Sequence, residues 1–189
     1  MIRIDRKSAW AGRKLALGSL VFISLSAALL SCATAPIPAA APIVEGFDKA
    51  RYLGTWYEIA RFDFAFERNL NNTTAEYALR DDGRIAVVNR GYNYVTGKRQ
   101  VARGKARFRG PETRAALEVS FFGPFYAAYN VVALDKEYRY ALVAGGSLDY
   151  LWILSREKSI PEEVRRNYLA VAESLGYDTS RLIWVEHDK

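Results

Sequence analysis

With 27 Lys and Arg against 21 Asp and Glu in 189 residues, the chain has a formal charge of +6, but five of those bases and one acid precede residue 32. The remainder, 189 less 31 or 158 residues, carries 22 bases and 20 acids; it is near neutral, long enough for one domain, and lacks the electrostatic footprint of a nucleic-acid binder. One cysteine, Cys32, rules out a disulfide within one chain, and one histidine, His187, leaves no zinc or haem constellation.

The chain opens with Arg3, Arg6, Lys7, Arg13 and Lys14, followed by an apolar run from Leu15 to Leu30. Sixteen helical residues rise about 24 Å, short of a roughly 30 Å hydrocarbon core, so the run reads as a secretory signal over 1–31 and not as a retained membrane helix. Leu29-Leu30-Ser31-Cys32 resembles the bacterial lipobox. That resemblance implies cleavage before Cys32 and acylation there; the alternative is an ordinary thiol at the signal border. Ala33 lacks the aspartate that retains such lipoproteins at the inner membrane, so the resemblance implies the Gram-negative outer membrane, facing the periplasm. Residues 32–44 then form the acylated start and an Ala/Pro tether, and 45–189 the folded domain.

Strand signals lie near 53–62, 73–80, 84–92, 99–108, 114–121, 126–134, 138–144 and 148–156, with Asp81-Asp82-Gly83 and Thr96-Gly97 as turns. Eight short antiparallel strands predict an all-β, up-and-down barrel, a size whose interior holds one small ligand. Pro161 begins a helix to about Leu175, ended by Gly176, with Val164, Tyr168, Val171 and Leu175 on one face that packs outside the barrel before a short last strand. Alternation turns Ala75, Tyr77 and Leu79 inward, and likewise Leu117, Val119 and Phe121. In the fourth strand Arg103, Lys105 and Arg107 face out while Ala102, Gly104, Ala106 and Phe108 face in. Small inward residues predict unfilled space; the alternative is that rings such as Trp152 and Tyr140 fill it.

Tyr52-Leu53-Gly54-Thr55-Trp56-Tyr57-Glu58-Ile59-Ala60-Arg61 resembles the Gly-x-Trp stretch of lipocalins, in the form of the bacterial lipocalin lipoproteins and their apolipoprotein D relatives. Four further stretches match that family in order: Asn89 to Asn93, Val119 to Tyr126, Tyr129 to Asp135 and Asp149 to Arg156. The resemblance runs from about Phe47 onward. It implies the lipocalin barrel, and a homodimer is among the assemblies it implies.

Gly54 belongs to that motif, and Trp56 opens the first strand while Arg156 ends the eighth, which pairs with the first if the barrel closes. A guanidinium on an indole face gains about 0.5 to 2 kcal/mol, so this trio is expected to plug one end. Glu58 shares the parity of Trp56 and faces in, where a carboxylate must be paired or protonated. Its candidate partners are Asn89, Tyr77, Tyr92 or a water; it serves either a structural network or the polar end of a ligand. The expected pocket lining is Glu58, Ala75, Tyr77, Asn89, Gly104, Ala106, Val119, Phe121, Tyr140, Leu142 and Trp152. Phe62 ends the first strand and Phe64 and Phe66 follow it in the loop over the open end; the three suit ligand entry, a membrane, a second subunit or plain loop packing.

The leading functional expectation is a membrane-anchored carrier that binds, stores or transports a single-chain lipid, a fatty acid or lysophospholipid, without cofactor or metal. Its role in envelope stress is implied by the resemblance alone. A ligand-free structural lipoprotein is the alternative. A lipid-modifying enzyme is remote, because the only thiol is expected in the anchor and His187 stands apart from any nucleophile.

Overall fold

The computed structural model describes residues 41–188. The predicted signal over 1–31, Cys32 and most of the tether lie outside the described residues. A short helix, α1 (Lys49–Tyr52), is started by Asp48, whose Oδ1 accepts from the amides of Ala50 and Arg51. Eight strands succeed it: β1 (Gly54–Arg61), β2 (Leu70–Leu79), β3 (Ile85–Asn93), β4 (Lys98–Phe108), β5 (Ala116–Ser120), β6 (Ala127–Leu134), β7 (Tyr140–Ala144) and β8 (Leu151–Ser155). Each pairs antiparallel with the next, and β1 pairs with both β2 and β8, which closes the ring. Gly83 at φ +75° and Gly97 at φ +68° take the left-handed backbone that the predicted turns need.

The meander puts the β1–β2, β3–β4, β5–β6 and β7–β8 loops at one end, the mouth, and α1 with the remaining turns at the other. After β8 the helix α2 (Glu162–Ser174) runs along the outside, with Pro161 just before it and Gly176, φ +89°, just after. A final short strand, β9 (Ile183–Trp184), lies outside the ring against Ala60 and Arg61 of β1. β1 and β2 pair only over Gly54–Tyr57, and the segment 183–188 bridges the remaining seam. Its Val185 amide donates to Ile59 O, Glu186 O accepts from the Asn72 amide, and the Asp188 amide donates to Asn72 Oδ1.

The wall separates two apolar cores. Inside are Trp56, Tyr77, Val87, Ala106, Leu117, Val131, Val143 and Leu154. Outside, beneath α2, are Ile59, Phe62, Leu142, Ile153, Tyr168 and Leu175. Tyr140 and Leu142, expected to line the interior, belong to this outer core, and the Tyr168 hydroxyl donates to Tyr140 O. It is Ala141 and Val143 that face in. The register shift between Val131 and Ala133 lies on the strand next to β7, and β7 is buried on both faces, so its apolar pattern carries no parity. Leu79, also expected inside, is 55% exposed at the closed-end rim.

Candidate functional site

Trp56 is fully buried, with its Nε1 donating to Tyr52 O, and the Arg156 guanidinium sits 3.9 Å above its ring. Arg156 also donates to the carbonyls of Arg51, Tyr52, Leu53, Thr55 and Tyr138. One side chain thereby ties α1, β1 and the β6–β7 turn together across the closed end. Burial lowers the Arg156 pKa from its usual value, opposed by the nearby Tyr52. Gly54, at φ +94°, has a backbone conformation that side-chain-bearing residues rarely adopt, and a Cβ there would stand 3.4 Å from Arg156 Nη1.

Above this plug three tyrosine hydroxyls form a chain across the interior. Tyr129 of β6 meets Tyr52 at 2.7 Å and Tyr77 of β2 at 2.9 Å. All three hydroxyls are held protonated, chiefly by burial. Beside them is a small cavity of about 10 Å³ for the centre of a water, bounded by Phe47, Tyr77, Ile85, Ala106, Val119 and Tyr129 among others. That is room for about one water and not for an acyl chain.

Gly104 requires a correction. A Cβ on it would meet Ser120 O at 2.7 Å and the Phe121 ring at 2.8 Å, so its bareness admits the ring and leaves no hollow. Toward the mouth the wall opens. Ala102 pairs with Asn89 and shares the inward parity of Gly104 and Ala106, yet it is exposed, as is Gln100 next to Gly91. The Asn89 Oδ1 is buried without a partner among the described residues.

Glu58 is buried, as its parity requires, but none of the expected partners holds it. Its Oε1 accepts from Arg61 Nη1 at 2.9 Å and from Thr73 Oγ1 at 3.1 Å. Arg61, 1% exposed, also donates to the carbonyls of Glu67 and Leu70, while Glu67 Oε2 accepts from Trp152 Nε1 at 3.2 Å. Burial first, and then the Glu67 carboxylate, push Glu58 well above the usual carboxylate range against the pull of Arg61; burial also raises Glu67. Strict alternation from Glu58 sends Arg61 outward, which hides it from a reading of the sequence. The bulge between Glu58 and Ala60 resets the parity, so Ile59 and Ala60 both join the outer core and Arg61 turns in.

Of the three phenylalanines after β1, Phe62 is buried in the outer core against Tyr177, Phe64 packs edge-on to Trp152 and Tyr150, and Phe66 is 72% exposed. Among the described residues no group of three His, Cys, Asp or Glu side chains is placed to hold a metal ion.

A closed eight-stranded antiparallel barrel, plugged at one end, open at the other and braced by one outer helix, defines a class of small-ligand cups. The model of the lipocalin-like domain matches residues 47–187, and the chain belongs to that family. It is 56% identical over 158 residues to the outer membrane lipoprotein Blc of Escherichia coli strain K12, covering 84% of this chain and 89% of that protein. The protein of the same name from Vibrio cholerae is 43% identical over 167 residues, covering 88% and 97%. Among solved structures, insecticyanin from the tobacco hornworm Manduca sexta superposes with a TM-score of 0.66 at 24% identity over 82% of this chain and 88% of its own, which speaks to the fold alone.

Proposed function

We propose that this protein is an outer-membrane lipoprotein of a Gram-negative bacterium, cut before Cys32, acylated there, and carrying a single-chain lipid in the open half of its barrel. The observation that carries the reading is the contrast along β4: inward Ala102 is solvent-exposed, whereas inward Ala106 is buried beside the tyrosine chain. Cargo therefore occupies the mouth half, between the rim and the tyrosines, with Ala102, Asn89, Phe121 and Trp152 around it. From Lys98 to Gly104 that wall rises about 15 Å at 3.3 Å per residue and a tilt near 40°. An acyl chain that buries roughly 300 Å² gains about 7 kcal/mol at 25 cal/mol per Å² without any special chemistry, which favours a fatty acid or lysophospholipid. The name shared by the bacterial relatives supports the address, and the family membership supports a small apolar ligand.

Purified full-length protein is expected to bind a fluorescent fatty acid at one-to-one stoichiometry, displaced by unlabelled fatty acid or lysophospholipid. Ala102→Trp, which fills the cup, is expected to weaken that binding at least tenfold at unchanged melting temperature. No saturable binding would leave the ligand-free structural lipoprotein as the reading.

A further inference from the structure

We infer that the mouth of the barrel is a docking surface for an anionic lipid bilayer, an inference that rests on the anchored-carrier reading above. Exposed apolar side chains concentrate at this end: Phe125 at 77%, Phe66 at 72%, Val95 at 67%, Phe122 at 65% and Tyr94 at 58%. They form one rim, not scattered points. The Phe66 and Phe122 rings lie 5.8 Å apart across two loops, and Tyr94, of a third loop, donates its amide to Asn69 O of the loop that carries Phe66. A rim of this kind on a small domain marks an interaction site.

The charge beside it selects the occupant. Lys98 and Arg99 come just after the Tyr94–Val95 turn, are exposed, and make no ion pair among the described residues. Of the acids at this end, Asp63 pairs with Arg68 at 3.2 Å, Asp149 with Arg181 at 3.5 Å, and Glu67 is held beneath Trp152, while Glu173 and Asp178, in the last turn of the outer helix and just after it and away from Lys98 and Arg99 in sequence, bond to Thr179 and Ser180. Phenylalanine and tyrosine flanked by unpaired bases fit the interface of an anionic membrane. A second copy apposed rim to rim would bring like charges together. The tether permits the pose, since nine residue steps separate Cys32 from Ala41, a reach of roughly 30 Å when extended. An acyl anchor plus a surface patch is also the two-signal arrangement that stable membrane attachment needs.

The test uses the acylated protein in vesicles of phosphatidylglycerol with phosphatidylethanolamine. Its one native cysteine carries the anchor, so Phe125→Cys, or Val95→Cys as a second position, offers one free thiol for a polarity-sensitive fluorophore. Labels at 125 and 95 are expected to shift to the blue, and a label at Leu79→Cys, at the closed end, to stay unshifted. Lys98→Gln with Arg99→Gln is expected to lower the docked-to-undocked ratio about thirtyfold, which is about fivefold for each charge removed. A shift at 79 alone, or at none of the three, overturns the proposal. A shift at 125 that grows with protein density and persists in neutral vesicles overturns it in favour of a second copy. Fatty-acid uptake by the same labelled proteins separates the two readings: intact uptake without docking sinks docking alone, whereas lost uptake sinks the carrier reading beneath it.

Discussion

Replacing Arg156 with alanine removes a guanidinium that lies 3.9 Å over the Trp56 ring and hydrogen-bonds five main-chain carbonyls. The stacked contact contributes about 1 kcal/mol at a half-exposed site. Bonds from a charged donor are worth about 1.5 to 3 kcal/mol when buried; screening at this rim reduces them, and five acceptors share three nitrogens, so about 3 kcal/mol is a fair sum. The expected loss is therefore about 4 kcal/mol. At about 2 to 4 °C per kcal/mol for a domain of this size, the melting temperature should fall by about 10 °C. Lysine should recover less than half, because one ammonium has neither the plane to stack nor the fork to reach α1 and β1 together. Calorimetry of Arg156→Ala and Arg156→Lys, beside fatty-acid titrations, checks this. A fall of under 3 °C with a tenfold loss of affinity would refute the plug and place Arg156 in ligand binding.

Glu58 gives a pH signature. Its folded pKa is raised above the ordinary 4.5, so the native state binds the proton more tightly; its contribution is fully present below about pH 4.5 and is lost as pH rises through the folded value. Glu58→Gln removes that slope, so the melting temperature of the variant minus that of the parent should increase with pH from about 4.5 upward, and thermal scans showing a constant difference to about pH 8 would contradict the raised pKa of Glu58. Leu142→Ala should cost about 2 to 5 kcal/mol in urea unfolding while leaving fatty-acid affinity unchanged, because its side chain packs beneath α2 and not in the cup; weakened affinity at unchanged stability would return Leu142 to the interior.

The eight strands, their turns and the covering helix are legible because each is written in local terms: alternation, Asp-Gly and Thr-Gly turns, and a helix face at three-to-four spacing. Parity fails wherever something non-local resets it. Tyr140 and Leu142 sit on a strand walled on both sides, where inward and outward residues are equally greasy. Arg61 turns inward through a bulge that no residue type announces, which also explains why alternation offers Glu58 the wrong partners. Gly104 illustrates a different limit: a missing side chain reads the same whether it leaves a hollow or admits a neighbouring ring, and only the position of Phe121 decides. Ala102, on the same face of that strand, is exposed, which alternation alone does not reveal.

The clasp between Asn72 and Asp188 joins residues separated by 116 positions. The first wall of the barrel is therefore finished last, by residues that leave the ribosome well after their partners. Until they arrive, β1 keeps the part of its edge beyond Tyr57 bare. The same arrangement advises against attaching a purification handle directly after these residues, since the handle would begin inside the joint.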